Sequence, residues 1–345
     1  MRVSVPSRFT LRVMKISSRR KKKISSAYAS RHFWLNLVVA LFFSPVVGVA
    51  VAQNQPAVAN VLRIGLLTAV GANPYSASVE RGVRLGAGEA RQTANLFGND
   101  VQLYEETAGN DALASAELLS SRRKVQVLIG SSPTDVDALS KFAEQHHILF
   151  FNVASRANSL RAACRRYTFH VEGSEGMYAN AALPGGTSTG FSARTSSRDG
   201  KDSVVLWGST LERYGAVQIN DRYRAKYAMG MDGAAWAGWA AIKIASEAAL
   251  RARSSEPARM LAFLENPGTT FDGHKGWPLS FRIVDHQLRQ PMYVISRSAS
   301  KPGKPMLREV PELRASSPGA GRDESAQLNQ ALDRLIASPT APRCR

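Results

Sequence analysis

"VQVLIGSSPTDVDALSKFAEQHHILFFNV", Val125 to Val153, decides the fold. Its ends, "VQVLIG" and "ILFFNV", are short and nearly all apolar, and "TDVDALSKFAEQ" between them has the pattern of a helix. A strand that is apolar along its whole length must be covered on both faces, and a helix joining two such strands returns the chain so that they run parallel. The stretch is therefore read as one strand-helix-strand unit of a covered parallel sheet.

The same alternation runs upstream. "VLRIGLL" (Val61 to Leu67) reads as a buried strand, and "YSASVERGVRLGAGEARQ" (Tyr75 to Gln92) as a helix with Val79, Val83 and Ala90 near one face. "VQLYEE" and "DALASAELLSS" supply the next strand and helix. Three such units and a fourth strand predict an α/β fold with a parallel sheet.

Open parallel sheets bind ligands beyond the carboxyl ends of their strands. Three segments occupy that edge: "TAVGANPY", "GSSPTD" and "ASRANS". None is a nucleotide signature, since no G-x-G-x-x-G follows the first strand and no G-x-x-x-x-G-K-[ST] occurs in the chain. In "GSSPTD", Ser131, Ser132 and Thr134 lie where a strand ends and a helix begins. Hydroxyls and backbone N–H groups converging there suit an anion, and Ser132 or Thr134 acting only as a helix cap is the alternative.

The net charge of +18 suggests a nucleic-acid partner, but its distribution argues otherwise. Residues 1–52 hold ten Lys/Arg, including "RRKKK" at Arg19 to Lys23, and no acidic residue. The remainder carries 35 basic against 27 acidic residues, a net of +8. The basic run precedes "FWLNLVVALFFSPVVGVAVA" (Phe33 to Ala52), which ends in A-x-A spacing at Ala50-Val51-Ala52. Basic, apolar and small-residue regions in that order predict a secretory signal peptide over residues 1–52, with Met14 a second possible start. The rival is an uncleaved anchor, which Asn36, Pro45 and Gly48 weaken. A nucleic-acid partner is not expected. Two cysteines, Cys164 and Cys344, in an exported chain allow one disulfide, against the alternative of two unpaired thiols.

Beyond Val171, "SEGMYANAAL" reads as helix, and "PGGTSTGFSARTSSRDGKD" (Pro184 to Asp202) as a flexible insert with little to bury. "SVVLWG" is a strand, "AVQINDRYRAKYAMG" a helix, and "DGAAWAGWAAIKIASEAALRAR" the strongest helix, with Trp236, Trp239, Ile242 and Ala249 as its buried stripe. "PARMLAFLEN" is a short helix. In "FDGHKGWPLSFRIVDHQLRQPMYVI" (Phe271 to Ile295), "PLSFRIV" and "LRQPMYVI" read as two strands around a polar turn. His274, Asp285 and His286 have no third and fourth partner at metal-site spacing, so they read as turn residues; neither metal nor cofactor is expected. Residues 297–345 read as a flexible tail with one weak helix, "QLNQALDRLIA".

"FDGHKGWPLSF", followed by a polar turn and "QPMYV", resembles the C-terminal hairpin of type I periplasmic binding proteins, and is similar within them to the branched-chain amino acid (Leu/Ile/Val) binding group of ABC importers. "LSFR", "DHQLRQP" and "RRYTFHV" resemble a subgroup associated with PQQ-dependent alcohol dehydrogenase systems. The resemblance implies two α/β lobes, 61–171 and 172–296, closing on a small solute. It implies a ligand held by Ser131, Ser132 and Thr134 after the third strand and by Ala154 and Ser155 after the fourth, with Tyr75 from the first loop. It also implies a non-enzymatic periplasmic monomer that delivers its solute to an ABC permease in the inner membrane. Where the family builds further βα units, this chain has Pro184 to Asp202, so the second lobe is expected to be truncated. The alternatives are a degenerate exported protein that binds a partner or nothing, and an exported hydrolase, which would need a G-x-S-x-G elbow between an apolar strand and a helix, whereas the pattern occurs here as "GTSTG" (Gly186 to Gly190) inside the Gly- and Ser-rich stretch.

Overall fold

The computed structural model describes residues 60–71, 73–109, 111–183, 202–296, 306–310, 323–336 and 344. The expected signal peptide and nearly all of the expected insert, 184–201, lie outside them.

The parallel sheet is present and has five strands. β1 (Val61–Thr68), β2 (Asp100–Thr107), β3 (Val127–Gly130), β4 (Leu149–Asn152) and β5 (Thr168–His170) lie in the order β2-β1-β3-β4-β5, every pairing parallel. β5, inside "RRYTFHV", is one strand more than the apolar runs indicated. It is only three residues long, too short for a periodicity to register.

Both faces of the sheet are buried, as its composition requires. Leu62, Ile64, Leu66, Val127, Ile129 and Phe151 join one apolar cluster with α1 (Pro74–Leu96) and α7 (Gly233–Arg251). Leu67, Leu128 and Phe150 join another with α2 (Ala112–Ser121) and α3 (Val136–His146). Side chains alternate across a strand, so one run of apolar residues serves both layers. The remaining helices are α4 (Asn158–Ala162), α5 (Glu175–Ala181), α6 (Ala216–Tyr227) and α8 (Pro257–Leu264). Trp236, Trp239, Ile242 and Ala249 are buried as the stripe on α7 predicts.

Two features of the C-terminal half differ from the sequence reading. "SVVLWG" is a strand only as β6 (Asp202–Val205); Leu206 and Trp207 leave it to enter the core. "LRQPMYVI" is two strands, because Pro291 has no N–H for a ladder and interrupts the run. β9 (Leu288–Arg289) continues the small sheet begun by β7 (Phe271–Asp272) and β8 (Pro278–Phe281). β10 (Met292–Ser296) instead pairs antiparallel with β6 on one side and β11 (Met306–Val310) on the other.

β11 and α9 (Asp323–Ile336) both fall inside 297–345, the segment read as a flexible tail. Burial of Leu332, Leu335 and Ile336 accounts for the docking of α9. Arg289 pairs with Asp333 at 2.7 Å, and the Asn180 amide donates to the Leu335 carbonyl at 2.9 Å. A disulfide joins Cys344 to Cys164, with Cα atoms 4.9 Å apart. No helix among the described residues is long and apolar enough to cross a membrane.

Candidate functional site

The carboxyl ends of β3, β4 and β5 bring "GSSPTD", "ASRANS" and Glu172 to one edge of the sheet. Ser131 is fully buried, and its hydroxyl is committed: it accepts from the Ala69 N–H at 2.9 Å and donates to Glu80 Oε1 at 3.0 Å. It ties the end of β3 to β1 and α1. Ser132 and Thr134 face outward with hydroxyls 2.7 Å apart, and Thr134 donates to Asp135 Oδ1 at 3.0 Å. Thr134 spends its only proton on Asp135, so Ser132 must be the donor of the pair. Neither hydroxyl caps α3, whose first-turn neighbour Asp135 makes no side-chain cap bond either. The Asp135 carboxylate nonetheless lies at that helix end, where its charge already meets the helix dipole.

After β4, the buried Asn152 organises the turn. Its Oδ1 accepts from the N–H groups of Ala154 (3.2 Å) and Ser155 (2.9 Å), and its Nδ2 donates to the Ser155 carbonyl at 2.8 Å. Ala154 and Ser155 therefore offer no free backbone N–H, and the Ser155 hydroxyl, which accepts from the Ala157 N–H at 3.4 Å, keeps its own proton to donate. Arg161 locks the same turn from beneath, donating to the carbonyls of Ser155 (2.9 Å), Ala157 (3.0 Å) and Glu172 (2.7 Å) and to Gln287 Oε1 (2.9 Å). Burial, which strips water from the guanidinium, pulls its pKa down to about 10, and nearby carboxylates such as Glu172 oppose the shift only in part.

Tyr75 reaches this edge from α1. Its hydroxyl lies 2.9 Å from Glu172 Oε2 and 3.1 Å from the Val153 carbonyl. Glu172 is buried and also accepts from Tyr178 Oη at 2.7 Å and from the Gly173 N–H at 3.1 Å, and Arg156 Nε stands 3.4 Å from its Oε1. Burial raises the Glu172 carboxyl and both tyrosine hydroxyls above their ordinary pKa values. The Arg156 guanidinium lies 3.7 Å over the Tyr178 ring while its side chain stays 46% exposed.

Solved structures share this architecture. The branched-chain amino acid transporter substrate-binding protein of Streptococcus pneumoniae, in complex with isoleucine, is 12% identical; the match covers 73% of this chain and 99% of that one at a TM-score of 0.56. A periplasmic binding protein from Burkholderia mallei is 11% identical over 83% of this chain and 98% of its own, with a TM-score of 0.61. A solute-binding protein of an R. palustris ABC transporter, in complex with benzoate, is 15% identical over 72% and 95%, with a TM-score of 0.56. The fold is that of the periplasmic binding proteins. At these identities the likeness is one of fold alone. No protein-family model and no curated protein matches the chain.

On this fold, the edge brings together Tyr75, Ala154 and Ser155 around Glu172, with Ser132 and Thr134 on the neighbouring strand end, and turns Ser131 away. Sequence reasoning missed Glu172, Arg156 and Tyr178. Arg156 stood inside "ASRANS", and its exposed charge next to a strand end was the available signal. Among the described residues no group of three or more His, Cys, Asp or Glu side chains could hold a metal.

Proposed function

We propose that the chain is the solute-binding component of an ABC importer, holding a small amino-acid-like or aromatic-acid-like molecule at the carboxyl edge of the five-stranded sheet. The observation that carries this is the gathering of Ser132, Thr134, Ser155, Tyr75 and Arg156 at the edge where open parallel sheets take ligands. The shared fold supports it, and so do neighbours in complex with isoleucine, benzoate and 3,4-dihydroxybenzoic acid. On this reading the protein is exported through residues 1–52, acts in the periplasm as a monomer without catalysis, and hands its solute to a membrane permease. Motifs such as "DHQLRQP" favour a solute linked to alcohol oxidation.

The second lobe is the smaller part of this proposal. Its expected truncation rests on the sequence, where Pro184 to Asp202 stands in place of the further βα units that the resemblance implies. A solute gripped mainly from one side loses polar contacts worth ~1 kcal/mol each, or more where charge is involved. Thermal-shift screening of the exported form against amino acids, aromatic acids and alcohol-derived acids tests the reading, because a ligand that binds only the folded state raises its melting temperature. A melting temperature that no compound moves would favour the alternative of a degenerate, partner-binding protein.

A further inference from the structure

We propose that Arg156 is the group that selects the solute's charge, and that the solute is a monocarboxylate. This rests on the solute-binding reading and deepens it. The obvious anion site, the start of α3, already has Asp135 beside it, with the Ser132 and Thr134 hydroxyl protons directed along a chain that ends on that carboxylate. An incoming carboxylate there would meet like charge.

Arg156 offers the opposite. Its Nε faces Glu172, its plane rests on Tyr178, and no described residue accepts from Nη1 or Nη2. The Arg156 carbonyl is fixed as well, accepting from the Glu175 N–H at 2.8 Å. A guanidinium held on one edge and one face presents its remaining parallel N–H groups as a fork, the geometry that a carboxylate matches.

The local charge also favours an anion. Glu172 is the buried carboxylate nearest to both arginines: Arg156 pairs with it, Arg161 bonds only its backbone carbonyl, and Asp285, the other buried carboxylate among the described residues, is bound by Arg282. Glu175 is exposed at the rim. One monoanion seated on the half-exposed Arg156 would balance the charge that Glu172 alone leaves on Arg156 and the buried Arg161. Glu172 is the positioning residue: it holds the guanidinium and, with Tyr75 and Tyr178 bound to it, cannot turn toward a ligand.

The test is calorimetric titration of the full exported chain with benzoate, isobutyrate and L-isoleucine, each against its primary amide, and with inorganic phosphate. The expected result is at least one acid that binds about 10- to 100-fold tighter than its amide, the span of one charge-assisted hydrogen-bonded pair. Arg156→Ala should bring that acid to within about threefold of its amide. Arg156→Lys, which keeps the charge but loses the fork, should fall between. Acid and amide binding alike, an acid preference that survives in Arg156→Ala, or tighter binding of phosphate would overturn the assignment while leaving a solute-binding protein. Failure of every probe to bind would overturn both.

Discussion

Helices α1 and α7 pack so closely that glycine is required at their crossing, and this sets up a quantitative test. A Cβ built on Gly82 would stand 1.9 Å from the Ala235 carbonyl oxygen and 2.7 Å from its carbon, and one on Gly238 would stand 2.4 Å from the Val79 oxygen. These neighbours are backbone and cannot rotate aside. In Gly82→Ala the helices must separate by about 1 Å, and a gap of that size forfeits a quarter to a half of each van der Waals well along the contact. The contact includes Val79, Val83, Trp239 and Ile242, all buried. Overpacking typically costs about 1–3 kcal/mol, and with no flexible atom to yield, this site belongs at or above the top of that range. Alanine regains about 1 kcal/mol of helix propensity over glycine. The net expectation is a loss of about 2 kcal/mol, or roughly 4–8 °C in melting temperature for a domain of this size. Gly88 on the same helix is the internal control, because its Cβ would meet nothing within 4 Å. Gly88→Ala should stabilise by up to about 1 kcal/mol. Thermal melts followed by circular dichroism decide the matter: a Gly82→Ala protein that melts at or above wild type would refute the close-contact account.

Three further outcomes are expected. Reducing Cys164–Cys344, which bridges a sequence separation of 180 residues, should lower stability by about 2–5 kcal/mol in denaturant titrations; equal midpoints with and without reductant would show that the bridge constrains little. Burial holds the Lys275 ammonium well below its ordinary pKa, beside Gln290 Oε1 (2.7 Å), the Pro291 carbonyl (3.1 Å) and the Trp236 ring. The unfolded chain therefore binds the extra proton between the folded pKa and about 10.5, so stability should rise with pH across that window. Lys275→Met should flatten the rise in urea midpoints, and an unchanged slope would exclude Lys275 as its source. Ser131→Ala should cost about 1 kcal/mol, by removing the hydroxyl between the Ala69 N–H and Glu80 and leaving them only their longer direct bond of 3.3 Å, and should not alter solute affinity at all; Ser132→Ala should do the reverse, with little change in melting temperature.

The parallel sheet was legible because its strands carry the signal in composition: β1, β3 and β4 are apolar on both faces, and only a doubly covered sheet accommodates that. The second half was less legible for two physical reasons. Its strands are two to five residues long, below the length at which alternation can be recognised, and Pro291 joins runs that belong to different sheets. The docking of α9 was partly visible, since "QLNQALDRLIA" contains the leucines that bury it, while its partners Asn180 and Arg289 lie too far away in sequence to be inferred.

At the site, much of what was missed follows from direction rather than from residue type. Ser131 continues the alternation of Val127 and Ile129, the residues of β3 that face α1, so parity alone sends its hydroxyl inward to Glu80 and sends Ser132 out. Tyr75 and Ser155 carried the right chemistry but gave no hint of Glu172, because a carboxylate is buried at low cost only when donors converge on it from several elements. Here they come from α1, from the turn after β4 and from α5. Convergence of that kind is a property of the folded chain. On the proposed reading the cation left facing solvent at this edge is Arg156, so recognition by charge would fall to the guanidinium and recognition by shape to Ser132, Thr134 and Ser155.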